Sequence, residues 1–300
     1  MNGADWKEAL RWFLRPTAEG VVGINRRNLD YIYPCNSRQF FSLADDKVLT
    51  KEVLEQAGLP VPATLRVYRY FFELQHLRED LAPHAEFVVK PARGRGGGGI
   101  VVITGTTETS WLSIDGRRHS LDALRRHLGD ILFGVYSFDL GDAVLVEERI
   151  RQHPVVEELS PLGLADVRVI VYQDRPTLTM IRVPTRSSRG RANLHQGGIG
   201  ISLDLATGRT GHAQHNGHEV VCHPDTGLVL AGHTIPFWDE VLRISRKTAE
   251  LFPLKYLGID IVITAAGPVL LEINVRPGLE IQNVTCCGLR PLLDVEKEPA

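Results

Sequence analysis

Asp260, Glu272 and Asn274 are the residues in this 300-residue chain whose types and spacing most directly suit a chemical task. Glu272 and Asn274 alternate along an extended stretch, so both point to one face while Ile273 and Val275 point to the other. A hairpin with strands Ile259–Ile263 and Val269–Asn274 folds Asp260 back to roughly opposite Glu272. Two carboxylates and an amide oxygen on one face form a hard-oxygen site suited to Mg²⁺, which keeps positions for water and phosphate. For Glu272 alone, a solvated edge-strand acid is the ordinary alternative. Apolar neighbours around both acids oppose it, because a carboxylate there is costly unless it is paired or metal-bound.

A second candidate is the glycine-rich stretch Arg93 to Gly99, with Lys90 just before it. Gly94 to Gly99 formally satisfies G-x-G-x-x-G, a weak signal by itself. A dinucleotide site would need a helix to start at the loop, whereas Ile100–Ile103 reads as a strand. The Gly-Lys-Ser/Thr of a P-loop is absent, as are the His-Arg-Asp and Asp-Phe-Gly signatures of protein kinases. What remains is a flexible hairpin whose amides can close over phosphates, or a mobile surface turn. Glycine suits the first because backbone must approach phosphate oxygens closely.

These residues need scaffolding, and the chain is long enough for more than one lobe. Hydrophobic residues make up 43% and charged residues 23%, the profile of a globular protein. A net charge of −2 gives no bulk footprint for nucleic acid or membrane, so neither is expected as a partner. No signal peptide or membrane-spanning run is read, and four scattered cysteines suggest reduced thiols, so the expected compartment is cytoplasmic.

Apolar spacing predicts helices over Asp5 to Leu14, from Asp45 to Ala57, over Phe72 to Asp80 and from Pro236 to Phe252. The second presents Val48, Leu49, Val53, Leu54 and Ala57, and stops at Gly58 and Pro60. Strands are expected at Thr64–Tyr70, Phe87–Lys90, Ala143–Val146, Val167–Tyr172 and Leu178–Arg182. Pro184 to His233 is rich in turn signals, and Glu296 to Ala300 should fray. Strands and helices mix without regular alternation, which favours an α+β fold.

The hairpin resembles the magnesium hairpin of ATP-grasp enzymes, in particular the RimK-like glutamate ligases. Further segments follow in that family's order: Asp46-Lys47 before Gly58-Leu59-Pro60-Val61-Pro62, Val88-Val89-Lys90-Pro91 before the glycines, and Val144 to Ile150. Asp166-Val167-Arg168-Val169 and Arg191-Ala192-Asn193-Leu194-His195-Gln196-Gly197-Gly198 complete the series, so the resemblance spans residues 45 to 283. It implies two α+β lobes gripping ATP between antiparallel sheets, with a short N-terminal extension in place of a full preceding domain. The boundaries expected are an extension at 1–45, an N-terminal lobe at 46–146, a C-terminal lobe at 147–290 and a tail at 291–300. The region from Ser202 to Phe237 is longer than its counterpart in that family.

The resemblance also implies roles. Lys47 and Lys90, with Gly96, Gly97 and Gly98, would hold phosphates. Glu147, with main-chain groups of Glu148, Arg149 and Ile150, would read adenine, and Glu157 or Glu158 the ribose. Arg168 would hold the γ-phosphate and then an acyl-phosphate. Asp260, Glu272 and Asn274 would bind one or two Mg²⁺, with Mn²⁺ as a substitute. Arg191 and Asn193 belong to the matching motif and would serve catalysis. Arg182, Arg186 and Arg276 would suit an acidic carboxylate substrate, to be joined to an amine acceptor; Arg182, Arg186, Arg189 and Arg191 also read as a solvated basic loop.

Asn25, Arg26, Arg27 and Asn28 read equally as a remnant substrate lip or a capped turn. Histidines 212, 215, 218, 223 and 233 lack metal-ligand spacing. The reaction implied is carboxylate–amine ligation through an acyl-phosphate, possibly of glutamate. Phosphorylation of a hydroxyl and nucleotide binding without turnover are the alternatives, and a homo-oligomer is allowed.

Overall fold

The structure, a computed structural model, describes residues 20–94, 96–137 and 141–294. The helix expected over Asp5 to Leu14, the tail from Glu296 and Arg95 of the glycine stretch lie outside the described residues. The chain divides into two compact units: Ser42–Arg151 with Val269–Leu271, and Met1–Phe41 with Gln152–Pro268 and Glu272–Ala300. Residues 147–151 therefore go with the first unit, and the extension through Phe41 with the second.

The first unit is built on a six-stranded antiparallel sheet, in the order β1-β6-β2-β3-β4-β5. Its strands are β1 (Thr64–Tyr68), β2 (Phe87–Pro91), β3 (Val101–Thr106), β4 (Ser110–Ser113), β5 (Arg118–Ser120) and β6 (Val144–Glu147). Helices α1 (Lys47–Gln56), α2 (Leu77–Leu81) and α3 (Leu121–Leu132) accompany them. Asp46 caps α1, its Oδ1 accepting from the Val48 and Leu49 amides at 3.0 and 3.3 Å. Ser120 caps α3, whose Leu124, Leu128, Ile131 and Leu132 are buried with Trp111, Phe87 and Tyr68 in one core. The expected helix over Phe72 to Asp80 is a 3₁₀ stretch, Phe71–His76, continued by α2.

The second unit carries a seven-stranded antiparallel sheet, in the order β11-β10-β9-β8-β7-β12-β13. These are β7 (Asp166–Tyr172), β8 (Arg175–Val183), β9 (Ile199–Leu203), β10 (Thr210–His215), β11 (His218–Glu219), β12 (Tyr256–Thr264) and β13 (Gly267–Asn274). Helix α4 (Pro154–Leu159) precedes the sheet, and α5 (Trp238–Leu251) lies against β7, β8 and β12 with Trp238, Val241, Ile244 and Ala249 buried. The turn-rich region after Pro184 thus contains a real β meander.

Residues 20–41 are built into this second unit. Asn36 Nδ2 donates to the carbonyls of Tyr256 (2.7 Å) and Val275 (3.3 Å), while its Oδ1 accepts from the Tyr256 amide at 3.0 Å. Gln282 holds Val22 in the same reciprocal way, at 2.8 and 3.0 Å. Fully buried amide side chains thus supply partners for backbone that the sheet alone would leave unpaired. Replacing Asn36 by Ala should destabilise this unit by about 2–3 kcal/mol, since buried groups lose their partners. Urea denaturation followed by fluorescence checks this, and an unchanged midpoint would contradict the account.

Candidate active site

The register of four adjacent strands assembles the charged part of the site. On β7, Asp166 and Arg168 share a face; Arg168 lies opposite Asp260 on β12, and Asp166 opposite Arg182 on β8. Arg168 grips Asp260 with two parallel hydrogen bonds, Nε to Oδ1 and a terminal nitrogen to Oδ2, the latter at 2.7 Å. Arg182 bridges the two acids, with Nε 2.5 Å from Asp166 and a terminal nitrogen 2.9 Å from Asp260 Oδ2. From β13, Asn274 Nδ2 donates to the same oxygen at 3.3 Å. The result is a row of four alternating charges, almost wholly buried.

Burial pushes the Asp260 carboxyl up, but Arg168 and Arg182 outweigh it and hold the group below the ordinary carboxylate range. For Asp166, burial dominates over Arg182, and the neighbouring Asp260 charge adds to it, so this carboxyl is raised. Burial works against the Arg182 charge too, yet Asp166 and Asp260, with a contribution from Glu272, raise its pKa. The fork geometry and always-charged guanidinium make arginine the suitable partner here.

The same row tests whether a divalent cation fits. Among the described residues no group of three or more His, Cys, Asp and Glu is placed to hold a metal. A cation held here would use the Asn274 oxygen beside the Glu272 and Asp260 carboxylates. Among the described residues, Asp260 Oδ2 accepts three N–H groups, while Oδ1 accepts only from Arg168. A carboxylate offers about four lone-pair sites, so Oδ1 retains one. Glu272 and Asn274 alternate on β13 and are both half-buried. The donor set fits a hard cation that keeps water and phosphate ligands.

The first unit brings together the lysines. Glu147, at the end of β6, is buried; its Oε1 accepts from Lys51 at 2.7 Å and its Oε2 pairs with Lys90. The sequence reading assigned Glu147 to adenine; in the fold both of its oxygens are engaged by lysines. Lys51 was missed by sequence reasoning, because a lysine one turn into an amphipathic helix reads as solvent-facing. It is buried, donates also to the Pro62 carbonyl, and its pKa is lowered by burial against the opposing pull of Glu147.

Lys47, at the start of α1, donates to the Gly94 carbonyl at 2.9 Å, and its amide bonds Ala92. Arg93 reaches back to Asp46 at 3.0 Å, and Asp142 accepts from the Arg93 amide. The helix cap and the root of the glycine loop are thereby one structure. Gly96, Gly97 and Gly99 have positive φ, and a Cβ on Gly99 would strike the Tyr136 ring at 2.7 Å, so glycine is required there. Around Gly97 a Cβ meets nothing within 4 Å, which leaves the tip of the loop open to a ligand.

The remaining assignments lie apart from these clusters. Glu148 donates its amide to the Ala63 carbonyl at 2.9 Å, and Arg149 and Arg151 share Glu86. Glu157 and Glu158 are exposed on α4. Arg186 and Arg191 are exposed on the loop after β8; Arg191 bonds Gln196 at 3.0 Å, and Asn193 caps the 3₁₀ turn Leu194–Gln196. That loop is braced by the long region after Ser202: Asp225 accepts from the Arg186 amide, and His223 and His215 meet the Pro184 and Gly197 carbonyls. Arg276 is exposed just past β13.

A glycine loop rooted beside two lysines, and an arginine–carboxylate–amide row at the end of a β hairpin, together have the features of an ATP-grasp protein. The chain matches the family described as sugar-transfer associated ATP-grasp over residues 26–297, and it belongs to that family. It is similar to a probable alpha-L-glutamate ligase of Ectopseudomonas mendocina (strain ymp), 22% identical over 270 residues that cover 88% of this chain and 66% of the relative. A cyanophycin synthetase of Crocosphaera subtropica (strain ATCC 51142 / BH68) is 25% identical, over 82% of this chain and 29% of that protein. Among solved structures, the ATP-grasp ligase PsnB complexed with minimal precursor matches with a TM-score of 0.47 and 20% identity, over 87% of this chain and 61% of PsnB. The chain thus spans at most 66% of the length of these relatives. Among the described residues no helix is long and apolar enough to cross a membrane.

The Lys51–Glu147–Lys90 cluster makes a direct prediction. Lys51→Met should cost about 3 kcal/mol in stability, because a buried pair loses one partner. It should also weaken ATP binding, since Lys90 becomes the sole counter-ion of Glu147 and is held back from phosphate. Denaturant titration and nucleotide binding measure the two effects; wild-type values in both would remove Lys51 from the site.

Proposed function

We propose that this chain is an ATP- and Mg²⁺-dependent carboxylate–amine ligase. The observation that carries the reading is the buried row Arg168–Asp260–Arg182–Asp166 beside Asn274 and Glu272, which sets fixed cations next to a hard-oxygen donor set. Family membership and the names of the glutamate-ligase relatives support the same chemistry.

In this reading a substrate carboxylate oxygen attacks the γ-phosphorus, the bond to ADP breaks, and an acyl-phosphate forms. An amine then attacks the acyl carbon, phosphate leaves, and the nitrogen loses a proton to give the amide. Lys47 and Lys90 offset charge on the α- and β-phosphates, while Gly96, Gly97 and Gly98 allow amides to approach them. Glu147 sets the position of Lys90. Because the Glu148 amide is already used, adenine is read by the Glu148 carbonyl and the main chain of Arg149 and Ile150. Glu157 is the ribose candidate.

Arg168 and Arg182, held by the Asp260 and Asp166 carboxylates, keep further terminal N–H groups for a transferring phosphoryl group, so positioning and electrostatics, with no protein nucleophile, carry the rate. Asp260, Glu272 and Asn274 would hold Mg²⁺, which when bound spreads the phosphate charge. Arg186, Arg191, Asn193 and Arg276 are the substrate-side candidates, and they suit an acidic acid component such as glutamate.

An ADP-release screen over acids and amines, with mass spectrometry of products, tests this. The expected result is orthophosphate formed together with an amide; a stable phosphorylated hydroxyl product would make the protein a kinase instead. Glu272→Ala should fold and lose Mg²⁺-dependent ADP formation by on the order of 10²-fold or more. Turnover like the wild type in that variant would sink the metal assignment.

A further inference from the structure

Arg27 is a buried cation with no acid to balance it among the described residues. Its side chain is only 9% exposed, yet all of its hydrogen-bond acceptors are neutral: Pro277 O at 2.8 Å, and Asn28 Oδ1 at 3.2 Å from Nε and 3.0 Å from a terminal nitrogen. A guanidinium has five N–H donors, so one remains on each terminal nitrogen. Asp30 is the one acid between Gly20 and Phe41, and it is taken by Arg26 at 3.0 Å. Among the described residues neither Arg27 nor Arg276 forms an ion pair.

Arg276 adds to the imbalance. Its guanidinium lies over the Phe41 ring at 5.0 Å, which holds the charge by cation–π attraction without neutralising it. Burial lowers the pKa of Arg27, with the like charge of Arg276 acting in the same direction. A buried charge is costly unless it is paired, so an unbalanced one needs a reason to persist. The local backbone is also unusual: Arg27–Ile32 forms a π-helical stretch, a rare geometry found frequently at functional sites.

Arg276 stands two residues beyond Asn274, the last residue of β13, and so at most roughly 7 Å from it along the backbone. We infer that Arg27 and Arg276 form an anion subsite for a second acidic group, carboxylate or phosphate, on the acid that is activated at the adjacent row. The arginine fork of Arg27 receives the anion, and Arg276 adds charge from the rim. The acid substrate is then a dicarboxylate or a phosphorylated acid, never a simple monocarboxylate. This rests on the ligase reading for its place in the reaction, whereas the anion binding itself requires no turnover.

Calorimetry on the nucleotide-free full chain with glutarate, inorganic phosphate and butyrate separates the two. The wild type should bind glutarate or phosphate about tenfold or more tightly than butyrate. R276Q, at an exposed position that leaves the fold in place, should lose about fivefold or more of that affinity. R27K, which keeps the charge but not the fork, should lose at least as much. Glutarate ahead of phosphate assigns a second carboxylate, and phosphate ahead assigns a phosphorylated acid. No preference over butyrate, or a dianion affinity that R276Q leaves within twofold of wild type, overturns the subsite even if the chain proves to be a ligase.

Discussion

Asp260 receives two arginines at once, and the chemistry of the second unit is organised around that carboxylate. A single buried acid would be protonated or excluded; with Arg168 and Arg182 bound to it, it stays ionised in the interior. The pairing in turn depends on strand register. A slip of one residue between β7 and β12 would turn Arg168 away from Asp260 and toward the opposite face. Antiparallel pairing of β8, β7 and β12 therefore acts as the ruler for the site, and α5 packed on those strands holds the ruler still.

The first unit solves a related problem with lysines. Lys90 is a buried cation, so Glu147 balances it, and Lys51 pairs with the same carboxylate. Two lysines on one carboxylate leave a net positive charge in the cluster, which suits an anionic nucleotide. The glycine loop grows from the same framework, because Asp46 both caps α1 and receives Arg93 from the loop root. His127 meets the Gly99 carbonyl at 2.9 Å and Tyr136 packs on Gly99, so the base of the loop is fixed.

Much of this was legible in the sequence because the signals were local. The β12–β13 hairpin, the helix ending at Gly58 and the strand–glycine–strand order follow from alternation, turn residues and capping. Leu121, Leu124, Leu128 and Ile131 after Ser120 also carry a plain helical signal, although α3 was not read from it. What was not legible depended on distant partners. Lys51 looks solvated until its Glu147 partner, 96 residues later, is brought to it. Asp166 looks like an ordinary strand-end charge, and Arg182 like an arginine for an acidic substrate, until register sets them beside Asp260. Arg191 and Asn193, read from their motif, also tie their own loop together, by bonding Gln196 and capping a 3₁₀ turn. Residues 20–41 read as part of a short N-terminal extension, and Asn36 and Gln282 build them into the sheet unit.

The central claim is that fixed arginines beside Asp260 stabilise transfer of the γ-phosphoryl group onto a carboxylate. An isotope experiment reads this directly. With an acid that supports ADP release labelled with ¹⁸O in its carboxylate, turnover with ATP and amine should deliver one ¹⁸O into the released orthophosphate. That transfer occurs only if the carboxylate oxygen has been bonded to phosphorus. Unlabelled orthophosphate alongside a formed amide would contradict the acyl-phosphate route and the role given to Arg168.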